Sequence, residues 1–122
     1  MKPIDFIWVF IGSGFGGSLR FLLGNVIGRT ERFPLSTFVI NILACLIAGF
    51  LVSRIGFNSF RTMDLRLLLI TGFCGGFSTF SAFGIETFDL MQKGFWFSAS
   101  VYVASSIFAG LIGIWLGGRL NF

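Results

Sequence analysis

Phe80 and Phe83 stand one helical turn apart, directly after the run G-G-F-S-T at Gly75 to Thr79. A phenyl ring is negative on its face and positive at its edge. Two rings on one helix face can line a path for a small anion with their edges. Such contacts are weak and repeated, as conduction requires. Asn41 offers two N–H donors, and the hydroxyls of Ser81 and Ser106 offer ordinary ones. The run itself offers the opposite chemistry, because unwound carbonyls at Gly75 to Thr79 suit a cation. If two such runs met at a two-fold axis, one buried cation would hold both subunits and offset the charge of a nearby anion. Each feature also has a plainer use. Asn41 suits a helix–helix hydrogen bond, and most of the 18 phenylalanines must simply pack or face lipid.

Composition sets what can position these residues. The chain has 122 residues, 55% hydrophobic and 11% charged, with mean hydropathy +0.91. A soluble domain carries about 25% charged residues, so this is an integral membrane protein. A spanning helix needs about 20 apolar residues. The length therefore allows four helices and leaves no room for a soluble catalytic domain. Histidine is absent, and Cys45 and Cys74 form no CxxC pair. Both cysteines read as buried free thiols rather than zinc ligands or a disulfide. The net charge of +4 comes from the ends of apolar segments. It reads as membrane orientation and lipid headgroup contact, with no nucleic-acid partner. Lys2 followed by apolar residues superficially resembles a signal peptide. The run continues too far and no A-x-A-like cleavage site follows, so a retained first helix is expected.

The expected architecture is a single all-α transmembrane domain with helices at about 4–27, 35–52, 65–91 and 95–120. Gly12, Gly14 and Gly17 spell G-x-G-x-x-G, but inside an apolar span this is no dinucleotide fingerprint. Gly12/Gly16, Gly72/Gly76 and Gly113/Gly117 instead form the G-x-x-x-G pattern that lets membrane helices approach closely. Arg20, in the last third of the first helix, either snorkels to the interface or faces protein and pins a terminus or vestibule. Gly28 to Arg32 makes a polar turn, and Pro34 suits the first turn of the next helix. Arg54 to Arg66, with Asn58, Arg61 and Asp64, is the second polar connection. The third segment contains Gly72 to Phe83 and ends in Glu86, Asp89, Gln92 and Lys93. Its glycines cost about 1 kcal/mol each relative to alanine in a helix interior. A break at membrane depth strands backbone groups unless it is buried in protein or lines a cavity. The third helix is therefore expected to break mid-membrane at an ion site, a tight crossing point, or both. In the fourth helix Ser98, Tyr102, Ser105 and Ser106 fall on roughly one face, a candidate polar seam.

Lys2, Arg54, Arg61, Arg66 and Arg119 fall on one side of a four-span chain, against Arg29, Arg32 and Lys93 on the other, with Arg20 close below. The positive-inside rule needs a clear excess. Insertion in both orientations is expected, and with it an antiparallel homodimer in contact with membrane lipid.

Taken together, G-F-C-G-G-F-S-T-F-S at Gly72 to Ser81, G-x-x-x-R at Gly16 to Arg20, the intramembrane Asn41 of V-I-N-I, Tyr102 and Ser106 resemble the fluoride channels of bacterial membranes called Fluc or CrcB proteins. The resemblance covers essentially the whole chain. It implies a multi-pass protein of the bacterial inner membrane and a dual-topology antiparallel homodimer with two pathways for fluoride ion. Asn41, Phe80 and Phe83 would line each pathway, with Ser81, Tyr102 and Ser106 as further polar contacts. Backbone carbonyls of Gly76 and Thr79 from both subunits would hold a structural Na+. Arg20 would serve structure or vestibule, and Glu86 would sit near the pore end. The task implied is passive export of toxic fluoride. Two positions depart from the family pattern: Ala82 stands where a hydroxyl residue, commonly Thr, is usual, and Gly84 where Ser is frequent.

Three other readings compete. A four-helix multidrug transporter needs a carboxylate in mid-membrane, and the first helix has none there. A membrane scaffold explains the glycines but not the break beside Asn41. An enzyme would need a nucleophile with its base or a metal constellation, and neither is present.

Overall fold

A computed structural model describes residues 1–56 and 63–120. Asn58 and Arg61, counted above in the second connection, lie outside the described residues. Every described element is helical. The first helix, α1, is Pro3–Ile27, and α2 is Leu35–Ile55. The third segment is compound. Its first half, α3, begins at Met63–Arg66, continues as a π-helical stretch at Leu67–Cys74 and closes with the turn Gly75–Phe77. After the break, α4 is Phe80–Gln92 and α5 is Trp96–Arg119. By length and composition four spans can cross a membrane: α1, α2, the joined α3–α4 unit from Met63 to Gln92, and α5.

The helix ends follow local chemistry. Gly28 ends α1 at φ 73° and Gly56 ends α2 at φ 79°. Both angles are left-handed, where a Cβ is penalised. With no earlier breaker, α2 continues past Val52 to Ile55.

Glycine lets two helix pairs touch backbone to backbone. α1 lies against α3: a Cβ on Gly12 would come within 2.8 Å of Phe73 N, and one on Gly76 within 2.5 Å of Ser13 O. α2 lies against α5: a Cβ on Gly49 would come within 2.8 Å of Ile114 Cα, and one on Gly117 within 3.0 Å of Phe50 N. All three G-x-x-x-G pairs thus serve packing within one chain, Gly113 through ordinary contact with Cys45. They supply no separate surface for a second copy.

Two small cores flank the break. Phe77, 1% exposed, packs with Ile40 and Ala44 and is bordered by Leu19, Leu23 and Phe73. Tyr102, 0% exposed, packs with Leu90 and Ala99 and is bordered by Phe38 and Phe83. The outer faces stay apolar, with Phe15, Phe21, Phe97 and Phe108 exposed. In lipid that arrangement carries no hydrophobic cost.

Candidate functional site

The break is two residues long and clamped from two sides. Ser78 and Thr79 leave the helix with extended backbone, at ψ 159° and 119°. This interrupts the i→i−4 ladder and frees N–H and C=O groups. Asn41 answers both groups of Thr79: its Nδ2 donates to Thr79 O at 3.1 Å, and its Oδ1 accepts from Thr79 N at 2.8 Å. One amide thus replaces a strand neighbour. Arg20 reaches in from α1, and its Nε donates to Gly76 O at 3.1 Å. Of the two readings of Arg20, the guanidinium faces protein and pins the last turn of α3. Ser78 Oγ donates to Cys74 O at 2.9 Å, and Thr79 Oγ1 accepts from Ala82 N at 3.3 Å, capping α4.

Truncating Asn41 should therefore weaken the fold. Asn41→Ala strips the Thr79 peptide of two bonds. Half-buried groups left unpaired cost about 1–3 kcal/mol. A lower thermal midpoint in detergent is expected, and an unchanged midpoint would relieve Asn41 of the clamp.

A cavity of about 260 Å³ opens beside the break, lined by Asn41, Cys45, Phe80, Phe83, Ser106 and the Ser78–Thr79 backbone segment. The Phe80 and Phe83 ring centroids lie 5.6 Å apart, and Phe83 lies 5.1 Å from Tyr102. The Ser106 hydroxyl is buried in this lining without a hydrogen-bond partner. Buried polar atoms are nearly always paired, so this hydroxyl is an exception in the lining. Phe80 is 84% exposed on the outer surface of the chain.

A second cavity of about 360 Å³ lies on the other side of Thr79, lined by Arg20, Asn25, Arg29, Thr37, Ala82 and Glu86 among others. Glu86 joins three helices there. Its Oε1 accepts from Thr37 Oγ1 at 2.8 Å, and its Oε2 accepts from Tyr102 OH at 2.9 Å.

The structure thus gathers Asn41, Phe80, Phe83, Ser106 and the Thr79 backbone at one cavity, and Arg20 and Glu86 at its neighbour. Tyr102 lines neither cavity; it is fully buried behind them, against Phe83 of the one and hydrogen-bonded to Glu86 of the other. Ser81 is exposed, its Oγ 3.3 Å from Thr79 Oγ1, and does not line the cavity beside the phenylalanines. The serine seam narrows to Tyr102 and Ser106, since Ser105 turns its hydroxyl to Val101 O at 2.5 Å. Two residues were passed over in the sequence. Thr37 and Cys45 stand four positions either side of Asn41, so they share its helix face. That spacing was the available signal.

A multi-pass helical bundle whose broken span is clamped by side chains and opens on a partly polar cavity is a membrane transport protein. The chain belongs to the family described as CrcB-like protein, Camphor Resistance (CrcB), whose family model matches residues 7–118. It is 44% identical over 115 residues to the fluoride-specific ion channel FluC of Methylobacillus flagellatus, covering 92% of this chain and 90% of that one. It is 42% identical over 114 residues to the protein of that name from Phocaeicola vulgatus (89% of this chain, 91% of that one). It is 36% identical over 116 residues to that from Helicobacter pylori strain HPAG1 (92% and 88%). With four candidate spans and bacterial relatives, it is a multi-pass protein of the bacterial plasma membrane.

Proposed function

We propose that this protein is a channel, not an enzyme, that lets fluoride cross the membrane passively. The observation that carries this reading is the cavity beside the break. It pairs two phenylalanine rings with an unpartnered buried hydroxyl at Ser106 and the amide of Asn41. Ring edges and single donors interact weakly with an anion, and weak sites in series allow exit as well as entry. Phe80, Phe83, Asn41 and Ser106 line the path. Tyr102 and Ser81 flank it, and Glu86 and Arg20 border the neighbouring cavity at its mouth.

The working unit is an antiparallel homodimer with two paths. The near-even count of Lys and Arg between the two sides supports it. So does Phe80, which belongs to the path yet is almost fully exposed on a single chain. A second copy would cover it.

The Gly76 and Thr79 carbonyls fit a sodium ion in chemistry, being hard neutral oxygens. Each accepts one hydrogen bond, which leaves one lone pair free. Two oxygens are only part of a cation's shell, so the partner subunit would supply the rest. The ion would tie the two breaks together; the chain's own residues hold the carbonyls in place.

The deciding measurement is efflux from liposomes loaded with fluoride or chloride. Rapid fluoride loss with little chloride loss is expected. If fluoride stays inside, Ala82→Thr is the next liposome. Recovery there would locate the failure at position 82, and continued silence would sink the channel reading.

A further inference from the structure

Arg20 brings a full positive charge to one of the two carbonyls assigned above to a cation. Its Nε lies 3.1 Å from Gly76 O. Among the described residues Arg20 makes no ion pair; the one found is Lys93 with Asp89. Glu86 lines the same cavity but makes no ion pair with Arg20; its oxygens hold the hydroxyls of Thr37 and Tyr102 instead. The carbonyl of Thr79 differs, because its donor is the neutral amide of Asn41.

We infer that Arg20 is a specificity-determining residue that restricts the cation site at the break to monovalent ions. The inference rests on the cation reading proposed above and asks which ions the site accepts. An ion on the free lone pair of Gly76 O shares that oxygen with a guanidinium. Repulsion between the two charges grows with their product and shrinks with the local dielectric constant. A divalent ion therefore meets twice the repulsion that a monovalent ion meets at the same distance. Neutral carbonyls return no formal negative charge to offset it. The hydrogen bond to Arg20 also draws electron density from Gly76 O, which weakens it further as a ligand. Calcium is close to sodium in size, so comparing the two isolates charge.

The test uses full-length protein purified in detergent and read by thermal unfolding, with sodium or calcium titrated against a background of a large organic cation. Wild type should gain stability from sodium and little from calcium. Arg20→Lys keeps the charge and should behave as wild type does. Arg20→Gln removes the charge and should respond to calcium at a concentration at least about tenfold lower than wild type requires. Where Arg20→Gln does not fold, citrulline at position 20 gives the same comparison. It keeps the Nε–H donor to Gly76 O and loses only the charge. A wild-type response to sodium, with no calcium response in either neutral variant, would overturn the inference and leave the cation site standing. No sodium response in any form would overturn the cation site and this inference with it.

Discussion

Gly16→Ala is expected to destabilise this protein severely, while Gly14→Ala, two residues away, leaves it intact. Gly16 is buried where α1 crosses α3. A Cβ there would stand 2.7 Å from Phe77 N, and closer still to Phe73 O. Both obstacles are backbone, so no rotamer change relieves the clash. The helices must separate, and with them the last turn of α3 that carries Gly76. Overpacking a core costs about 1–3 kcal/mol when side chains can adjust. With backbone as the obstacle the cost should reach or exceed about 3 kcal/mol, a large part of the roughly 5–15 kcal/mol that holds a typical domain together. Gly14 faces outward, and a Cβ on it meets nothing within 4 Å. Alanine is the better helix former there by about 1 kcal/mol. The readout is the yield of monodisperse protein and its thermal midpoint in detergent. Equal behaviour of the two variants would show that α1 and α3 are not held at the distance described.

The same crossing shows what could be read from residue types alone. The G-x-x-x-G spacing announces close helix approach but does not name the partner. Gly12 and Gly16 meet α3, and Gly117 and Gly49 join α5 to α2. Gly49 belongs to no repeated pair, so pattern reading passes over it. The break was legible because glycine clusters and hydroxyls oppose helix propagation. Its exact site was less so: Gly72 to Gly76 remain helical as part of the π-helical stretch and its closing turn, and only Ser78 and Thr79 leave the helix. Tertiary clamps decide this, because Asn41 and Arg20 reach Thr79 and Gly76 across 38 and 56 residues of sequence. Local propensity contains no such term. Of the two uses considered for Asn41, the structure shows the packing one, and it leaves the side chain at the cavity. Its amide hydrogen-bonds a neighbouring helix's backbone, and the same side chain lines the cavity. From residue types alone Glu86 was visible as a polar residue near a helix end, and the family resemblance put it near the pore end. Its place between Thr37 and Tyr102 follows from how α2, α4 and α5 converge.

Replacing Phe80 or Phe83 by isoleucine is expected to cut fluoride flux by about tenfold or more while the protein still assembles. Isoleucine keeps apolar bulk but has no ring quadrupole. The edge-on attraction for an anion is removed, and a loss of roughly 1.4 kcal/mol at the barrier gives a factor of ten. The two positions separate conduction from packing. Phe83 is half-buried and lies 5.1 Å from the Tyr102 ring. Phe83→Ile therefore gives up a ring pair worth about 0.5–1.5 kcal/mol, and its midpoint should fall modestly. Phe80 is 84% exposed on the single chain and its one ring contact there is with Phe83 at 5.6 Å, so Phe80→Ile should lower the midpoint less than Phe83→Ile, which gives up both ring pairs. Flux is read as fluoride loss from liposomes carrying equal amounts of each variant, with assembly checked by size in detergent. Wild-type flux in both variants would take the rings out of the path and leave Asn41 and Ser106 as its lining. Loss of flux in Phe83→Ile alone, with a lower midpoint, would make the pair a packing feature. Loss in Phe80→Ile at an unchanged midpoint is the discriminating result, because an unchanged midpoint shows that the lost ring contact with Phe83 does not account for it.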